Sequence, residues 1–115
     1  MDLQLIRLDS PSEVRDFPKG RFELYRVGPM LIGRATYEPG WRWSTDVGGS
    51  ADALCDVEHV GWVVSGQAAV KMQDGTERVM SPGEFFYVPP GHDSWVVGDE
   101  PYTSLHFKGG EGYAA

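Results

Sequence analysis

The chain has 115 residues, of which 41% are hydrophobic, 12% aromatic and 23% charged. That length predicts one domain, covering residues 1–115, that is large enough to bury a core without disulfide or metal staples. Ten lysine and arginine residues against seventeen aspartate and glutamate residues give a net charge of -7. Such a balance disfavours nucleic acid and anionic membrane surfaces as partners, because both require a cationic face on the protein.

The cysteine content and the start of the chain indicate a compartment. A single cysteine, Cys55, excludes an internal disulfide and is typical of a reducing environment. The first ten residues lack the basic start and apolar run of a secretory signal peptide. No segment approaches the ~20 apolar residues that a membrane helix requires. We therefore expect a cytoplasmic domain.

Glycine and proline punctuation indicates the fold class. Fifteen glycines and eight prolines divide the chain into short segments, which is typical of all-β sandwiches and barrels. In chain order, alternation predicts a first strand at residues 3–8, followed by one helical turn starting at Ser10 and a loop at 16–20. Strands at 21–27 and 30–37 flank Gly28-Pro29. Residues 46–56 predict a long loop, and loops of this length often carry function.

The second half of the chain predicts six further strands. The first covers 57–65, and a hairpin joins 68–72 to 76–80 through Asp74-Gly75, a pair that favours a type I′ turn. Strands at 84–88, 93–97 and 103–107 follow, and residues from about 109 to 115 predict a loose tail. Nine strands without a long helix predict a single all-β domain that closes into a barrel or a two-sheet sandwich.

Several familiar catalytic motifs are absent from the sequence. It contains no glycine-rich dinucleotide loop, no phosphate loop, no pair of cysteines and no nucleophile elbow. What remains is three histidines, one cysteine and many aromatic residues around two glycine corners.

Two segments between about residues 39 and 97 resemble the paired motifs of the cupins. Residues 83–91, GEFFYVPPG, are similar to the second cupin motif, in which a glycine and five residues precede proline, any residue and glycine. Residues 59–66, HVGWVVSG, are similar to the end of the first motif. The resemblance implies a cupin-like jelly-roll barrel (a double-stranded β-helix), a metal inside the barrel and a homodimer.

The metal ligands depart from the pattern that this resemblance implies. In cupins the first motif supplies two histidines and an acidic residue, and the second motif supplies a third histidine. Here His59 occupies the acidic position, Cys55 the position of the second histidine and Ala53 that of the first. The third histidine would fall at Ser94, whereas this chain carries His92 two residues earlier.

A substitute ligand set is available at the barrel mouth that cupin topology implies: Asp46, Cys55, His59 and His92. A carboxylate, a thiolate and two imidazoles suit a divalent transition metal, with zinc, iron, manganese, nickel and copper all open. Each residue also has a structural interpretation. Cys55 fits a small buried hydrophobe, Asp46 a turn former, His92 an exposed turn residue and His59 a structural strand residue whose hydrogen bonds are satisfied. His106 is expected to point away from its apolar neighbours and not to bind metal.

Five residues are candidates for a substrate pocket: Arg34, Trp41, Trp43, Phe86 and Ser94. Small-molecule sites are mostly apolar with few polar groups, and the two tryptophans share a side near the expected mouth. Arg34 lies in an apolar strand, so inside a barrel it would need a carboxylate from the protein or from a substrate. Packing in the core is the alternative for the aromatic residues. Trp62 has the opposite parity to His59, which predicts the outer face.

Three functions follow from this sequence. The first is a metal-dependent enzyme acting on a small organic molecule, with lyase, isomerase or cyclase chemistry preferred over dioxygenation. The second is a ligand-binding or sensory cupin without turnover. The third is a metal-free, dimeric interaction barrel. The fold does not choose among them, so metal content is the first discriminating measurement.

Overall fold

The computed structural model describes residues 2–109 and contains nine β-strands and one short α-helix in that range. The strands are β1 (Glu13–Phe17), β2 (Gly20–Val27), β3 (Met30–Tyr37), β4 (His59–Ser65), β5 (Gln67–Met72), β6 (Glu77–Met80), β7 (Phe85–Val88), β8 (His92–Val97) and β9 (Tyr102–Lys108). The helix, α1, is Trp43–Asp46. It is too short to cross a membrane.

The strands form two antiparallel sheets. One sheet has six strands in the order β1-β2-β3-β9-β4-β7, and the other has three in the order β6-β5-β8. Side chains from both sheets share one hydrophobic core, among them Phe22, Val63 and Tyr102 from the larger sheet and Ala68 and Val96 from the smaller. The predicted all-β jelly-roll barrel is confirmed.

Eight of the nine predicted strands are present, with ends displaced by at most two residues, but the first prediction is wrong. Residues 3–8 form no strand, and Leu3 and Leu5 are 90% and 89% exposed. The predicted helical turn from Ser10 and the loop at 16–20 are also wrong, because β1 occupies residues 13–17 and pairs along its whole length with β2. Phe17 anchors this strand by packing against Tyr37 and Trp41. The predicted tail falls, apart from Gly109, outside the described residues.

Side-chain alternation in β7 places two residues inside the barrel and two outside. Phe86 and Val88 line the interior, whereas Phe85 is 79% and Tyr87 60% exposed. Gly61, opposite Phe86 in β4, permits close contact here. A Cβ atom at residue 61 would collide with the Leu105 carbonyl oxygen and the Phe86 ring.

A buried carboxylate on β8 holds α1 against the barrel. Asp93 Oδ1 accepts a hydrogen bond from Ser44 N at 2.9 Å, and its Oδ2 accepts from Ser44 Oγ at 2.8 Å. Arg42 Nη1 also donates to Asp93 Oδ2 at 2.9 Å. Because the first N–H groups of a helix have no partner within the helix, Asp93 replaces the usual N-cap side chain. The same contacts fix the position of Trp43.

Replacing Ser44 with alanine should destabilise the protein, because Asp93 would keep its burial and lose one of its donors. We expect the free energy of unfolding to fall by about 1.5–3 kcal/mol, as is usual for hydrogen bonds to charged groups. Urea denaturation of Ser44→Ala measures the loss. Thr45→Ala is the matched control, since exposed Thr45 makes only a 3.5 Å contact with Arg42 O, and it should change stability by less than about 0.5 kcal/mol. Equal losses in the two variants would contradict this account.

Candidate metal centre

Three buried side chains converge at one end of the barrel interior. Cys55, His59 and His92 each offer one potential ligand atom, and these atoms all lie within 4.8 Å of one another. Cys55 Sγ is 3.6 Å from His59 Nε2. The residues come from three separate places in the chain: the loop after α1, the start of β4 and the start of β8.

Backbone hydrogen bonds bring the cysteine loop to β8. Cys55 N donates to His92 O at 2.7 Å, and Gly91 N donates to Cys55 O at 2.8 Å. Cys55 and His92 form an isolated antiparallel bridge outside the named strands. His59 is placed independently, because it pairs with Val88 at the point where β4 begins and β7 ends.

The tautomer of His92 follows from its surroundings. His92 Nδ1 lies 2.7 Å from the carbonyl oxygen of Pro89. Because a carbonyl oxygen can only accept, Nδ1 carries the proton and donates it, which leaves the lone pair on Nε2. Metal-ligating histidines in proteins commonly show this arrangement, in which the outer nitrogen is held by a backbone or carboxylate oxygen.

The chemistry of the three donors, and the one distance that joins Cys55 to His59, fit a tetrahedral metal ion such as zinc. A sulfur at about 2.3 Å and a nitrogen at about 2.1 Å from zinc, at the tetrahedral angle, are about 3.6 Å apart. The distance from Cys55 Sγ to His59 Nε2 has this value. Three protein ligands leave a fourth position, which is the composition of catalytic zinc sites. Copper and iron also accept thiolate and imidazole ligands.

An aromatic cavity of about 40 Å³ adjoins the cluster. Its wall includes His59 and His92 together with a third histidine, His106. The rest of the wall consists of apolar side chains, aromatic rings and two serine hydroxyls; its aromatic members are Tyr37, Trp41, Trp43, Phe86 and Tyr102.

Burial keeps all three histidines uncharged at neutral pH. It lowers the pKa of His59 to about 4, with a smaller contribution from His92. It lowers the pKa of His106 to about 3, with a smaller contribution from His59. The pKa of His92 is also lowered by burial, and burial raises the pKa of the Cys55 thiol. Neutral imidazole is the form that binds metals.

His106 has the surroundings of a group held in place. Its ring makes edge contacts with Phe22 and Phe86 at centroid distances of 5.3 and 5.4 Å, and its Nε2 lies 3.0 Å from Ser104 Oγ. As expected, His106 faces away from Leu105 and Phe107, and the structure places it with Ser104 on the inward side of β9. Its contact with His59, at a centroid distance of 5.3 Å, was not predicted.

The structure brings together three of the four predicted metal ligands and places the fourth elsewhere. Asp46 Oδ2 accepts a hydrogen bond from Arg42 N at 2.9 Å, and its Oδ1 lies 3.9 Å from Lys19 Nζ. Asp46 is thus engaged at the end of α1 and does not belong to the buried cluster of Cys55, His59 and His92.

Four of the five predicted pocket residues line the cavity, namely Trp41, Trp43, Phe86 and Ser94. Arg34 does not line it. Its Nη2 and Nε donate to Glu23 Oε1 at 2.9 and 3.1 Å, on the side of β3 opposite to buried Ala35 and Tyr37. The carboxylate that Arg34 was expected to need therefore comes from the neighbouring strand.

The buried histidines should make the metal-free protein sensitive to acid. Above about pH 7 they are neutral in both the folded and unfolded states. Below the ordinary histidine pKa of about 6.5, the unfolded chain takes up protons that folded His59 and His106 refuse, so stability falls as the pH falls. Each histidine contributes a slope of up to about 1.4 kcal/mol per pH unit.

Urea unfolding of chelator-treated protein at pH 7, 6 and 5 measures this slope. We expect the free energy of unfolding to decrease at each step, and His106→Gln to remove about one histidine's share of the decrease. Equal stability at pH 7 and pH 5 would contradict the burial of uncharged imidazoles.

Comparison with solved structures identifies the architecture. A sugar phosphate isomerase of the cupin superfamily from Silicibacter pomeroyi superposes with a TM-score of 0.64 at 18% sequence identity, covering 90% of this chain and 73% of that chain. The polyketide cyclase RemF from Streptomyces resistomycificus superposes with a TM-score of 0.65 at 14% identity, covering 91% and 78%. An RmlC-like cupin from Shewanella frigidimarina gives a TM-score of 0.59 at 16% identity, covering 88% and 86%.

No protein-family model matches the chain, and a search of curated proteins found no match. The similarity therefore lies in the strand arrangement, which agrees with the two antiparallel sheets. This chain has the fold of the cupin superfamily.

Proposed function

We propose that the protein is a metal-dependent enzyme that acts on a small organic molecule in the barrel. In this proposal Cys55, His59 and His92 would hold the metal, which would act on a molecule bound in the adjoining cavity. The observation that carries it is the set of three buried ligand atoms within 4.8 Å of one another, two of whose residues also line the aromatic cavity.

The donor set favours non-oxidative chemistry. One thiolate and two imidazoles suit zinc, which has no redox activity. When bound, such an ion supplies Lewis-acid polarisation of a substrate oxygen or activation of a water molecule. Solved cupin-fold neighbours named as an isomerase and a cyclase agree with a reaction of this class, so we prefer isomerase, lyase or cyclase activity over dioxygenation.

The chain's own residues orient and shield the site. The bond to Pro89 O keeps the Nε2 lone pair of His92 available, and the bridge to β8 holds Cys55 beside His59. The aromatic wall surrounds the cavity with apolar surface, which strengthens electrostatic interactions there relative to bulk water.

Ligand binding without turnover is the second candidate function. General acid–base catalysis works best with a group whose pKa lies near the operating pH. Burial instead lowers the pKa of His59 to about 4 and that of His106 to about 3, and no carboxylate from residues 2–109 lines the cavity. A sensory or storage role would need the metal and the cavity but not a proton-transferring group.

Metal analysis of untagged protein tests the proposed centre. We expect about one transition-metal ion per chain, and we expect Cys55→Ser, His59→Gln and His92→Gln to lower metal affinity at least tenfold, since each removes a direct ligand. Asp46→Asn is the matched control and should retain the metal, because Asp46 lies with Arg42 and Lys19.

Thermal unfolding gives an independent measurement of the same site. Zinc at about a thousand times its dissociation constant should stabilise the native protein by about 4 kcal/mol, and Cys55→Ser should lose most of that gain. Native protein without metal, whose melting temperature does not change when zinc, iron, manganese, nickel or copper is added, would rule out the metalloenzyme.

The outer face of β7 supports a homodimer. Phe85 and Tyr87 are exposed on this strand, the Trp62 ring packs beside Phe85 at a centroid distance of 6.4 Å, and β7 is the last strand of the six-stranded sheet. An apolar face next to an open strand edge is a typical docking surface. A second copy of the chain is the occupant we propose, since a two-fold axis beside β7 lets each copy cover the other's exposed rings.

Light scattering coupled to size exclusion tests this assembly. We expect the native chain to elute as a dimer and Phe85→Glu to elute as a monomer, because a carboxylate would be buried in the contact. Val79→Glu is the control, since Val79 is exposed on β6 of the other sheet and its replacement should leave the dimer intact. A monomeric native protein would refute the proposal.

A further inference from the structure

We infer that the molecule bound in the cavity is uncharged and presents a hydrogen-bond acceptor to the indole N–H groups of Trp41 and Trp43. A phosphorylated compound is excluded by the same reasoning. The inference deepens the proposed function and rests on it, because the same ligand would also contact the proposed metal. The two indole donors themselves are observed independently of any metal.

The two indole nitrogens are donors that the described chain does not satisfy. Trp41 is 1% exposed, and Nε1 of both Trp41 and Trp43 is shielded from solvent with no hydrogen-bond partner among residues 2–109. Both side chains line the cavity. A buried donor without a partner costs free energy, so an acceptor inside the cavity is the group that can satisfy these two.

The Trp41 ring and the helix that carries Trp43 are both held in place, which limits how far the two donors can turn toward a protein acceptor. Trp41 stacks on Tyr37 with a centroid distance of 3.8 Å and an interplanar angle of 2°. Trp43 belongs to α1, which Asp93 holds through both the backbone nitrogen and the hydroxyl of Ser44. Fixed donors recognise an acceptor at low entropic cost, which is the property of a built binding site.

The charge of the wall excludes phosphate. No lysine, arginine, aspartate or glutamate within the described range lines the cavity. Arg34 is already paired with Glu23, and Arg42 with Asp93. Phosphate sites use arginine, lysine or helix N-termini, and burying a dianion without such partners is costly.

A metal at Cys55, His59 and His92 does not change this conclusion. A divalent ion bound to one thiolate and two neutral imidazoles carries a net charge of about +1, which cannot neutralise a phosphate dianion. The cavity of about 40 Å³ also favours a small ligand. A small carbonyl compound, lactam or N-oxide has the required chemistry. This chain therefore differs in its expected substrate from the neighbour named as a sugar phosphate isomerase.

Nuclear magnetic resonance of ¹⁵N-labelled protein tests the inference directly. The chain has four tryptophans, so four indole N–H signals are expected, and single Trp→Phe variants assign them. Cyclopentanone, 2-pyrrolidinone and pyridine N-oxide serve as uncharged acceptor probes, and inorganic phosphate serves as the charged one. Each probe is titrated into zinc-loaded and into metal-free protein.

We expect at least one uncharged probe to move the Trp41 and Trp43 signals, while those of Trp62 and Trp95 stay in place and phosphate moves none. The dissociation constant of that probe should rise at least fivefold in the double variant Trp41→Phe/Trp43→Phe. This variant keeps an aromatic ring at both positions and removes both indole donors. Trp62→Phe, on the outer face, should bind normally. Trp43→Phe alone should weaken binding about twofold or more, which covers the case in which the double variant is poorly folded.

Three results would overturn the inference: phosphate moving the two signals, no uncharged probe moving them, or equal affinity in Trp43→Phe and native protein. The metal-free titration separates this test from that of the proposed function. Shifts that persist in a native protein that binds none of zinc, iron, manganese, nickel and copper would refute the metalloenzyme and keep the acceptor site. Zinc binding without any indole shift would support the metal centre and refute the acceptor site.

Discussion

The bridge between Cys55 and His92 is the contact on which the interior site depends. Two short backbone hydrogen bonds clip the loop that follows α1 onto the start of β8. These bonds place the Cys55 thiol next to the His92 imidazole, and both lie beside His59 at the start of β4. Attraction between charged side chains does not assemble the group, because in the metal-free state all three members are neutral at pH 7. Regular backbone pairing assembles it, and the donors follow.

In this acidic protein the wall of the cavity carries no acidic or basic side chain from residues 2–109 other than its neutral histidines. The net charge of -7 resides in side chains outside the cavity, and the charged residues that come near the core are paired, as Arg34 is with Glu23. An uncharged, aromatic interior has a low dielectric response, so one metal ion or one indole donor has a larger effect there than at the surface. The exclusion of phosphate and the depressed histidine pKa values therefore share one physical origin.

Much of the fold could be predicted from the sequence because its turns carry strong local signals. Asp74-Gly75 and the prolines and glycines at 82–83 and 89–91 mark strand ends by backbone chemistry alone. The alternation at residues 3–8 led to a wrong prediction, because a period of two indicates only that a segment is able to form a strand. Whether it pairs depends on a partner elsewhere, and β2 pairs with β1 instead.

The candidate site was predictable to the extent that it follows from parity and motif position. His59 was identified by its place in the motif and His92 by its position two residues before the expected ligand, whereas alternation in β9 indicated only that His106 faces away from Leu105 and Phe107. Asp46 was grouped with them because its carboxylate is a suitable ligand, but its hydrogen bond from Arg42 N is a local helix-end contact. The role of Asp93 left no local signal, because its partner Ser44 lies 49 residues away in the chain.

Strand β8 carries a separate requirement on each of its two sides. His92 and Ser94 face the cavity, whereas Asp93 between them holds α1. A slip of one residue in its pairing with β5 would therefore put a carboxylate into the uncharged interior and leave α1 without its anchor. Insertions and deletions in β8 should consequently be far less tolerated than in the hairpin turn at 73–76. The register of this single strand is thus specified twice, once by chemistry inside the barrel and once by packing outside it.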